Sequence, residues 1–209
     1  MSENIEVFRI ITLGDSGVGK SSIIMRYTNG TFDEKILSTV GLEFTFKEVT
    51  LKDGLKIKLK FIDTAGQEKY RSLAKSYFKN AEGVLFIFSY DKKKSFDHIE
   101  EWFKSFNEQC PDKDNIPKIL IGNKCDLENK EINDNLVEDL KKRIGIENFS
   151  ITSAKTNIGI EKLFTYLAEK MYEQNKKYIG KKQQNKQLEN NELNEKKKKK
   201  LCSGCTGPI

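Results

Sequence analysis

The sequence lacks any apolar run approaching the roughly 18 residues that a membrane-spanning helix needs. Its first residues, Met1-Ser2-Glu3-Asn4, do not have the layout of a secretory signal peptide. Ser2 also stands where N-myristoylation requires a glycine directly after the initiator methionine. From these absences we expect neither a spanning helix, nor secretion, nor an N-terminal lipid.

Cysteine and histidine are scarce, with four cysteines and one histidine in 209 residues. Without a secretion signal, we expect the thiols to be reduced in the cytosol. Cys202-Ser-Gly-Cys205 resembles half of a zinc site. However, Cys110 and Cys125 do not form a second such pair and His98 stands alone, so the spacing argues against zinc.

Apolar residues are also rare between positions 180 and 200, where only Leu188 and Leu193 occur. We therefore predict a folded domain over residues 1–179 and a flexible tail over residues 180–209. The net charge is +6, and five of the lysines form the run Lys196–Lys200. A basic run beside two cysteines suits an anionic membrane surface. Nucleic-acid binding favours basic residues interleaved with aromatics on a folded surface, so we expect no nucleic-acid partner. The alternative is a solvated lysine run without a function.

Six short β-rich runs alternate with helical patterns along the chain. Such alternation predicts a mostly parallel sheet with helices on both faces, and Asp53-Gly54 predicts a hairpin that adds one antiparallel edge strand. The predicted strands are Val7–Leu13, Phe44–Leu51, Leu55–Ile62, Val84–Phe88, Lys118–Ile121 and Phe149–Thr152. The predicted helices are Lys20–Asn29, Ser72–Phe78, Ser95–Gln109, Val137–Arg143 and Ile160–Tyr178.

A phosphate-binding motif lies between the first strand and the first helix. The segment from Gly14 to Ser21, GDSGVGKS, matches G-x-x-x-x-G-K-[ST]. Its glycines let backbone N–H groups surround phosphates, and the helix N-terminus adds positive potential. Lys20 is long enough to reach the β- and γ-phosphates, and Ser21 offers a hydroxyl to Mg²⁺. We predict nucleotide binding by Asp15, Ser16, Gly17, Val18, Gly19, Lys20, Ser21 and Ser22.

A second motif, Asp63-Thr-Ala-Gly66-Gln67-Glu68, follows the third predicted strand. A carboxylate at a strand end beside a phosphate-binding loop is expected to hold the metal directly or through water. Gly66 lets a backbone N–H approach the γ-phosphate, and Gln67 is placed to orient the attacking water.

Two further motifs predict guanine recognition. Asn123-Lys124-Cys125-Asp126 follows the fifth strand, and a carboxylate at Asp126 can accept hydrogen bonds from guanine N1–H and N2–H₂. Asn123 would hold the loop and touch the ring, while the stem of Lys124 covers the base. Ser153-Ala154-Lys155 follows the last strand, where the Ala154 N–H could donate to guanine O6.

Together these segments resemble the Ras superfamily, and within it the Rab branch, over about residues 7–176. Softer similarities favour Rab: Val40-Gly-Leu-Glu-Phe44, the segment before Asp63, and Lys69-Tyr-Arg-Ser-Leu73. The resemblance implies a P-loop NTPase G domain of α/β fold that binds GTP and GDP with Mg²⁺. It implies that Thr39 binds Mg²⁺ and the γ-phosphate in the triphosphate state, and that Phe32 places its ring on the guanine face.

The chain departs from the Rab pattern in three places. Ile62 stands where Rab proteins usually have tryptophan, one corner of an aromatic effector cluster whose other corners would be Phe44 and Tyr77. The Asp53-Gly54 turn is one residue longer than usual. The tail has Cys202 and Cys205 three positions apart, without a C-a-a-X box, and we take both as candidate prenylation sites.

The resemblance implies a switch that hydrolyses GTP in vesicle trafficking, with Gln67, Lys20 and Thr39 as the catalytic residues and Ser21, Thr39 and Asp63 at the metal. Implied partners are an exchange factor, a GTPase-activating protein, effectors on the switch segments, and a GDP-dissociation inhibitor if the tail is prenylated. We expect the protein in the cytosol and on the cytoplasmic face of an intracellular membrane. The alternatives are a nucleotide-locked scaffold, a P-loop kinase or ATPase, and a signalling GTPase outside membrane traffic.

Overall fold

The structure is a computed structural model, and it describes residues 5–34, 42–64, 77–111 and 115–178. Six strands form one sheet: β1 (Glu6–Leu13), β2 (Leu42–Thr50), β3 (Lys56–Thr64), β4 (Gly83–Ser89), β5 (Lys118–Asn123) and β6 (Phe149–Ile151). The strand order is β2-β3-β1-β4-β5-β6, and every neighbouring pair is parallel except β2 with β3. The predicted α/β fold with one antiparallel edge strand is confirmed.

Among the described residues, five main helices follow strands β1, β4, β5 and β6 along the chain. They are α1 (Lys20–Asn29), α2 (Lys93–Asp97), α3 (Ile99–Gln109), α4 (Asp134–Ile144) and α5 (160–178). The prediction of one helix over Ser95–Gln109 was wrong in detail, because the structure divides it at His98 and starts it at Lys93. The division coincides with a contact between the His98 side chain and Asp15 in the loop after β1. Of the predicted helix Ser72–Phe78, residues 77 and 78 are described and helical.

Alternation of side chains along the strands builds a core on each face of the sheet. One core packs strand residues such as Ile11, Phe86 and Phe88 against Trp102 and Phe106 of α3. The other core packs α1 and α5 together. There the Phe164 ring of α5 stacks on Tyr27 of α1 with centroids 4.2 Å apart, and it meets Phe61 of β3 edge-on at 5.3 Å.

The hairpin between β2 and β3 closes through a turn at Gly54, whose φ of 85° is in the left-handed region that favours glycine. The Leu51 N–H donates to the Leu55 carbonyl at 2.8 Å, which joins the two ends of the turn. The turn therefore begins beyond the last ladder pair, Thr50 with Lys56, and its length relative to other Rab proteins stays a prediction.

Contacts divide the chain into two units, Met1–Met171 and Tyr172–Ile209. The first contains the sheet and both cores. The second is described as far as residue 178, and its described residues are helical. The domain boundary near residue 179 stays a prediction. None of the helices in the described part of the chain is both long and apolar enough to cross a bilayer.

Candidate functional site

A cleft of about 440 Å³ opens at the carboxyl ends of the parallel strands. This edge of an open α/β sheet is where such folds bind ligands, because the loops that leave neighbouring strands converge there. Residues from the loops after β1, β4, β5 and β6 line it. The predicted site residues that the cleft brings together are Ser16, Gly17, Gly19, Lys20, Ser21, Ser22, Phe32, Asn123, Lys124, Asp126, Ala154 and Lys155.

Three predicted nucleotide-binding residues lie beside the cleft without lining it. The Asp15 carboxylate is turned away, accepting a hydrogen bond from Trp102 Nε1 at 3.0 Å and contacting His98 Nδ1 at 2.7 Å. The Val18 side chain is buried in the core. Ser153 is buried too, and its hydroxyl accepts the Thr156 N–H at 3.0 Å.

Other predicted residues fall outside the described part of the chain. These are Thr39, Gly66, Gln67, Cys202 and Cys205.

The loop after β1 can approach its neighbours closely only because two of its residues are glycines. A Cβ on Gly14 would lie 2.1 Å from the Ile87 carbonyl oxygen, and a Cβ on Gly19 would lie 2.3 Å from Asn123 Nδ2. Gly19 also has φ of 95° and precedes the first residue of α1. Because glycine has no side chain to cap the helix, the first N–H groups of α1 face the cleft without competition from that residue.

The Lys20 ammonium lies at the floor of the cleft and is buried. It donates to the Gly14 and Asp15 carbonyl oxygens, both at 3.0 Å. Burial lowers the pKa of Lys20 to about 8, although the charges of Asp63 and Asp15 act in the opposite direction. An anion in the cleft would favour the charged ammonium, so this lysine is suited to meet phosphate.

The Asp63 carboxylate and the Ser21 hydroxyl are in direct hydrogen-bond contact. The Thr12 hydroxyl donates to the other carboxylate oxygen at 3.1 Å, which fixes the orientation of Asp63. A hydroxyl and a carboxylate side by side fit Mg²⁺, which prefers oxygen ligands and keeps several waters. Among the described residues, no three histidine, cysteine, aspartate or glutamate side chains form a metal-binding group.

The prediction that Asp63 follows its strand was wrong by two residues. β3 runs through Asp63 to Thr64, because the antiparallel ladder with β2 continues through the pairs Glu43 with Asp63 and Leu42 with Thr64. Asp63 is therefore held inside a ladder and is itself buried.

The Asn123 side chain connects two of the loops that line the cleft, the loop after β1 and the loop after β6. Its amide nitrogen donates to the Val18 carbonyl at 2.8 Å, in the loop after β1. Its amide oxygen accepts from the Thr152 hydroxyl at 3.1 Å and from the Ala154 N–H at 3.4 Å, in the loop after β6. All of these groups are buried, so the amide fixes both loops relative to the end of β5.

Lys124 adopts φ of 61°, and its ammonium lies 3.3 Å from the Asp91 carboxylate. Burial alone would raise the pKa of Asp91, but the hydrogen bond from Ser89 and the charge of Lys124 outweigh it and lower that pKa. Asp91 therefore stays ionised and holds Lys124 at the cleft wall. Asp126 lines the same wall.

Sequence reasoning missed four residues that line the cleft: Asp33, Glu34, Asp91 and Leu127. A signal existed for Asp91, since it follows the buried strand β4 just as the recognised motifs follow their strands. Glu34 is marked only by its contact with Lys155, at 2.7 Å, which the sequence does not reveal.

Two residues of the aromatic cluster predicted to bind effectors, Phe44 and Tyr77, lie within the described part of the chain. Phe44 is 43% exposed, and its ring centroid lies 5.6 Å from that of Tyr77. Ile62 is 1% exposed and belongs to the core. In place of a third aromatic corner, the Lys60 ammonium lies 4.5 Å from the Phe44 ring centroid.

Comparisons with known proteins agree with this geometry. Residues 9–173 match the model of the Ras family. The human Ras-related protein Rab-15 is 36% identical over 174 residues, which cover 83% of this chain and 80% of that protein. Rab-10 of Diplobatis ommata is 37% identical over 166 residues, which cover 78% of this chain and 80% of that protein. The GTP-binding protein ypt2 of Schizosaccharomyces pombe is 36% identical over 169 residues, which cover 80% of this chain and 82% of that protein.

The matched region contains the sheet apart from the first three residues of β1, and it contains the loops that line the cleft. The chain therefore belongs to the Ras family, as a Rab-like small GTPase.

Proposed function

We propose that this GTPase is a Mg²⁺-dependent switch in vesicle trafficking that alternates between GTP-bound and GDP-bound states. The observation that carries the proposal is that one cleft is lined both by the buried Lys20 and by Asp126 with Ala154. Asn123 connects the two ends through buried hydrogen bonds. One nucleotide can thus be recognised by its phosphates and by its base.

At the base end, Asp126 accepts from guanine N1–H and N2–H₂, and the Ala154 N–H is shared between Asn123 Oδ1, at 3.4 Å, and guanine O6. The stem of Lys124 covers one face of the ring, and Phe32 covers the other. Adenine presents no matching donor pair, so this arrangement selects guanine.

At the phosphate end, Lys20 and the first N–H groups of α1 meet the negative charge. Ser21 and Asp63 would hold Mg²⁺, together with Thr39, and the ion would supply charge neutralisation to the phosphates. Gln67 orients the attacking water, and Gly66 donates its N–H to the γ-phosphate.

The switch follows from the loss of the γ-phosphate. Thr39 and Gly66 contact it only in the triphosphate state, so hydrolysis releases the parts of the segments around them, about residues 33–44 and 63–77, that lie outside the β2–β3 ladder. We find no arginine in the sequence to assign as a catalytic finger, so intrinsic turnover is slow and a GTPase-activating protein supplies positive charge. An exchange factor and effectors act on the same segments.

The tail attaches the protein to the cytoplasmic face of an intracellular membrane. Prenyl groups on Cys202 and Cys205, together with the lysine run 196–200, provide the two signals that stable anchoring needs. A GDP-dissociation inhibitor would carry the prenylated protein through the cytosol.

Asp126→Asn tests the base assignment. The change removes a charged acceptor of two hydrogen bonds, each contributing about 1.5–3 kcal/mol, so GTP affinity should fall at least about a hundredfold. Xanthosine nucleotides have a carbonyl in place of the N2 amine of guanine. They should bind the Asp126→Asn variant better than they bind the unaltered protein. Asp139→Asn, on the exposed side of α4, is the matched control. Unchanged GTP affinity in competition binding would contradict the assignment.

Gln67→Leu tests hydrolysis. Without a side chain to orient water, the single-turnover rate of GTP hydrolysis should fall about tenfold or more, while GTP affinity stays the same. Gln109→Leu, at the end of α3 and away from the cleft lining, should leave the rate unchanged. Equal rates for Gln67→Leu and the unaltered protein would favour a nucleotide-locked scaffold instead.

Mass spectrometry of the C-terminal peptide from the native cell tests membrane attachment. We expect prenyl masses on both Cys202 and Cys205. Replacement of both cysteines by serine should move the protein from the membrane fraction to the soluble fraction. An unmodified C-terminal peptide from membrane-bound protein would refute the lipidation proposal.

A further inference from the structure

Arg26 lies in the last turn of α1, outside the lining of the cleft. Its guanidinium nevertheless binds two segments that carry lining residues. Nε donates to the Ala154 carbonyl at 2.7 Å, and Nη2 donates to the Lys155 carbonyl at 3.0 Å. Nη1 donates to the Gly30 carbonyl at 2.7 Å. One side chain thus satisfies three backbone acceptors in two segments that are far apart in the sequence.

The first of these segments is the loop that carries the Ala154 N–H. Asn123 holds this loop from the side of β5, through a 3.4 Å contact with that N–H. Arg26 holds the same loop through two further groups, the Ala154 and Lys155 carbonyl oxygens. Both residues fix the loop only while the planar fork of a guanidinium is present, because an ammonium cannot direct its donors to three acceptors in this pattern.

The second segment carries Phe32. Gly30 ends α1 in the left-handed conformation, with φ of 71°, and the chain then leads to Phe32 at the cleft wall. The central carbon of the Arg26 guanidinium lies 5.8 Å from the Phe32 ring centroid, a distance at which a cation is attracted to an aromatic face. The same group therefore fixes where Phe32 stands relative to the loop 153–155.

A second connection between these segments is the ion pair of Glu34 with Lys155, at 2.7 Å. Both side chains are more than half exposed, so we expect this pair to contribute little. The Arg26 hydrogen bond to Ala154 is partly buried, which makes Arg26 the stronger of the two connections.

The phosphate end has its own supports. Lys20 is held by the Gly14 and Asp15 carbonyls, and Asp63 is held by Thr12 and Ser21. Arg26 contacts none of these groups in the described structure. A change at Arg26 should therefore affect the base end and leave the hydrolysing groups in place.

We propose that Arg26 is a positioning residue that sets how long the guanine nucleotide stays bound, by holding the loop 153–155 and Phe32 against the base. The inference rests on the proposed function of the cleft as a guanine-nucleotide site. It assigns Arg26 a part in nucleotide release and none in phosphate chemistry.

The test uses the full chain with Arg26→Lys and Arg26→Met, loaded with a fluorescent GDP analogue and chased with unlabelled GDP in Mg²⁺. Arg26→Lys keeps the charge and loses the fork, and we expect release about tenfold faster, the effect of losing one charged hydrogen bond. Arg26→Met should release at least as fast. The rate of single-turnover GTP hydrolysis should stay within about twofold of that of the unaltered protein. General destabilisation would not speed nucleotide release while leaving the hydrolysis rate unchanged.

Arg143→Lys is the matched control, because Arg143 is bound to Glu100 on the surface away from the cleft, and its release rate should be unchanged. Glu34→Gln should change release less than Arg26→Lys does. Unchanged release in both Arg26 variants would overturn the inference, and so would a parallel fall in hydrolysis or the failure of both variants to fold. If Asp126→Asn binds GTP normally, the base site itself is misplaced; if only the Arg26 variants behave like the unaltered protein, the fault lies in this inference alone.

Discussion

The buried side-chain amide of Asn123 is the interaction on which the rest of the site depends. It donates to the loop after β1 and accepts from the loop after β6, so a single group sets the distance between the proposed phosphate end and the proposed base end. Each of these hydrogen bonds is shielded from water, and a buried amide without its partners would be costly. The two halves of the cleft are therefore expected to form together or not at all.

This constraint explains several choices elsewhere in the chain. Glycine is favoured at position 19 because a Cβ there would lie only 2.3 Å from the Asn123 amide nitrogen, and because its φ of 95° is in the left-handed region. The parallel order of β1, β4, β5 and β6 brings the loops to one edge. Asp91 then holds Lys124, and Arg26 holds the loop that contains Ala154. Residues that do not contact a ligand can still determine how accurately the ligand-binding residues are positioned.

Much of the fold could be predicted because its signals are local. Short β-rich runs predicted the strands, and the glycine-rich segment before Lys20 predicted the loop after β1. The strand limits were less accurate: β3 extends through Asp63 to Thr64 because a neighbouring strand pairs with it, which is a tertiary effect. Arg26 and Glu34 could not be found from the sequence for the same reason. Their roles depend on partners up to 129 positions away, and no local pattern records such contacts.

The central claim is that one cleft, joined by Asn123, holds one guanine nucleotide. The most direct measurement is the nucleotide content of the full chain purified without added nucleotide, extracted by denaturation and separated by chromatography. The account predicts close to one guanine nucleotide per protein, and a clearly lower ratio for Asn123→Ala. Adenine nucleotide in that extract, or an unchanged guanine content in the Asn123 variant, would contradict it.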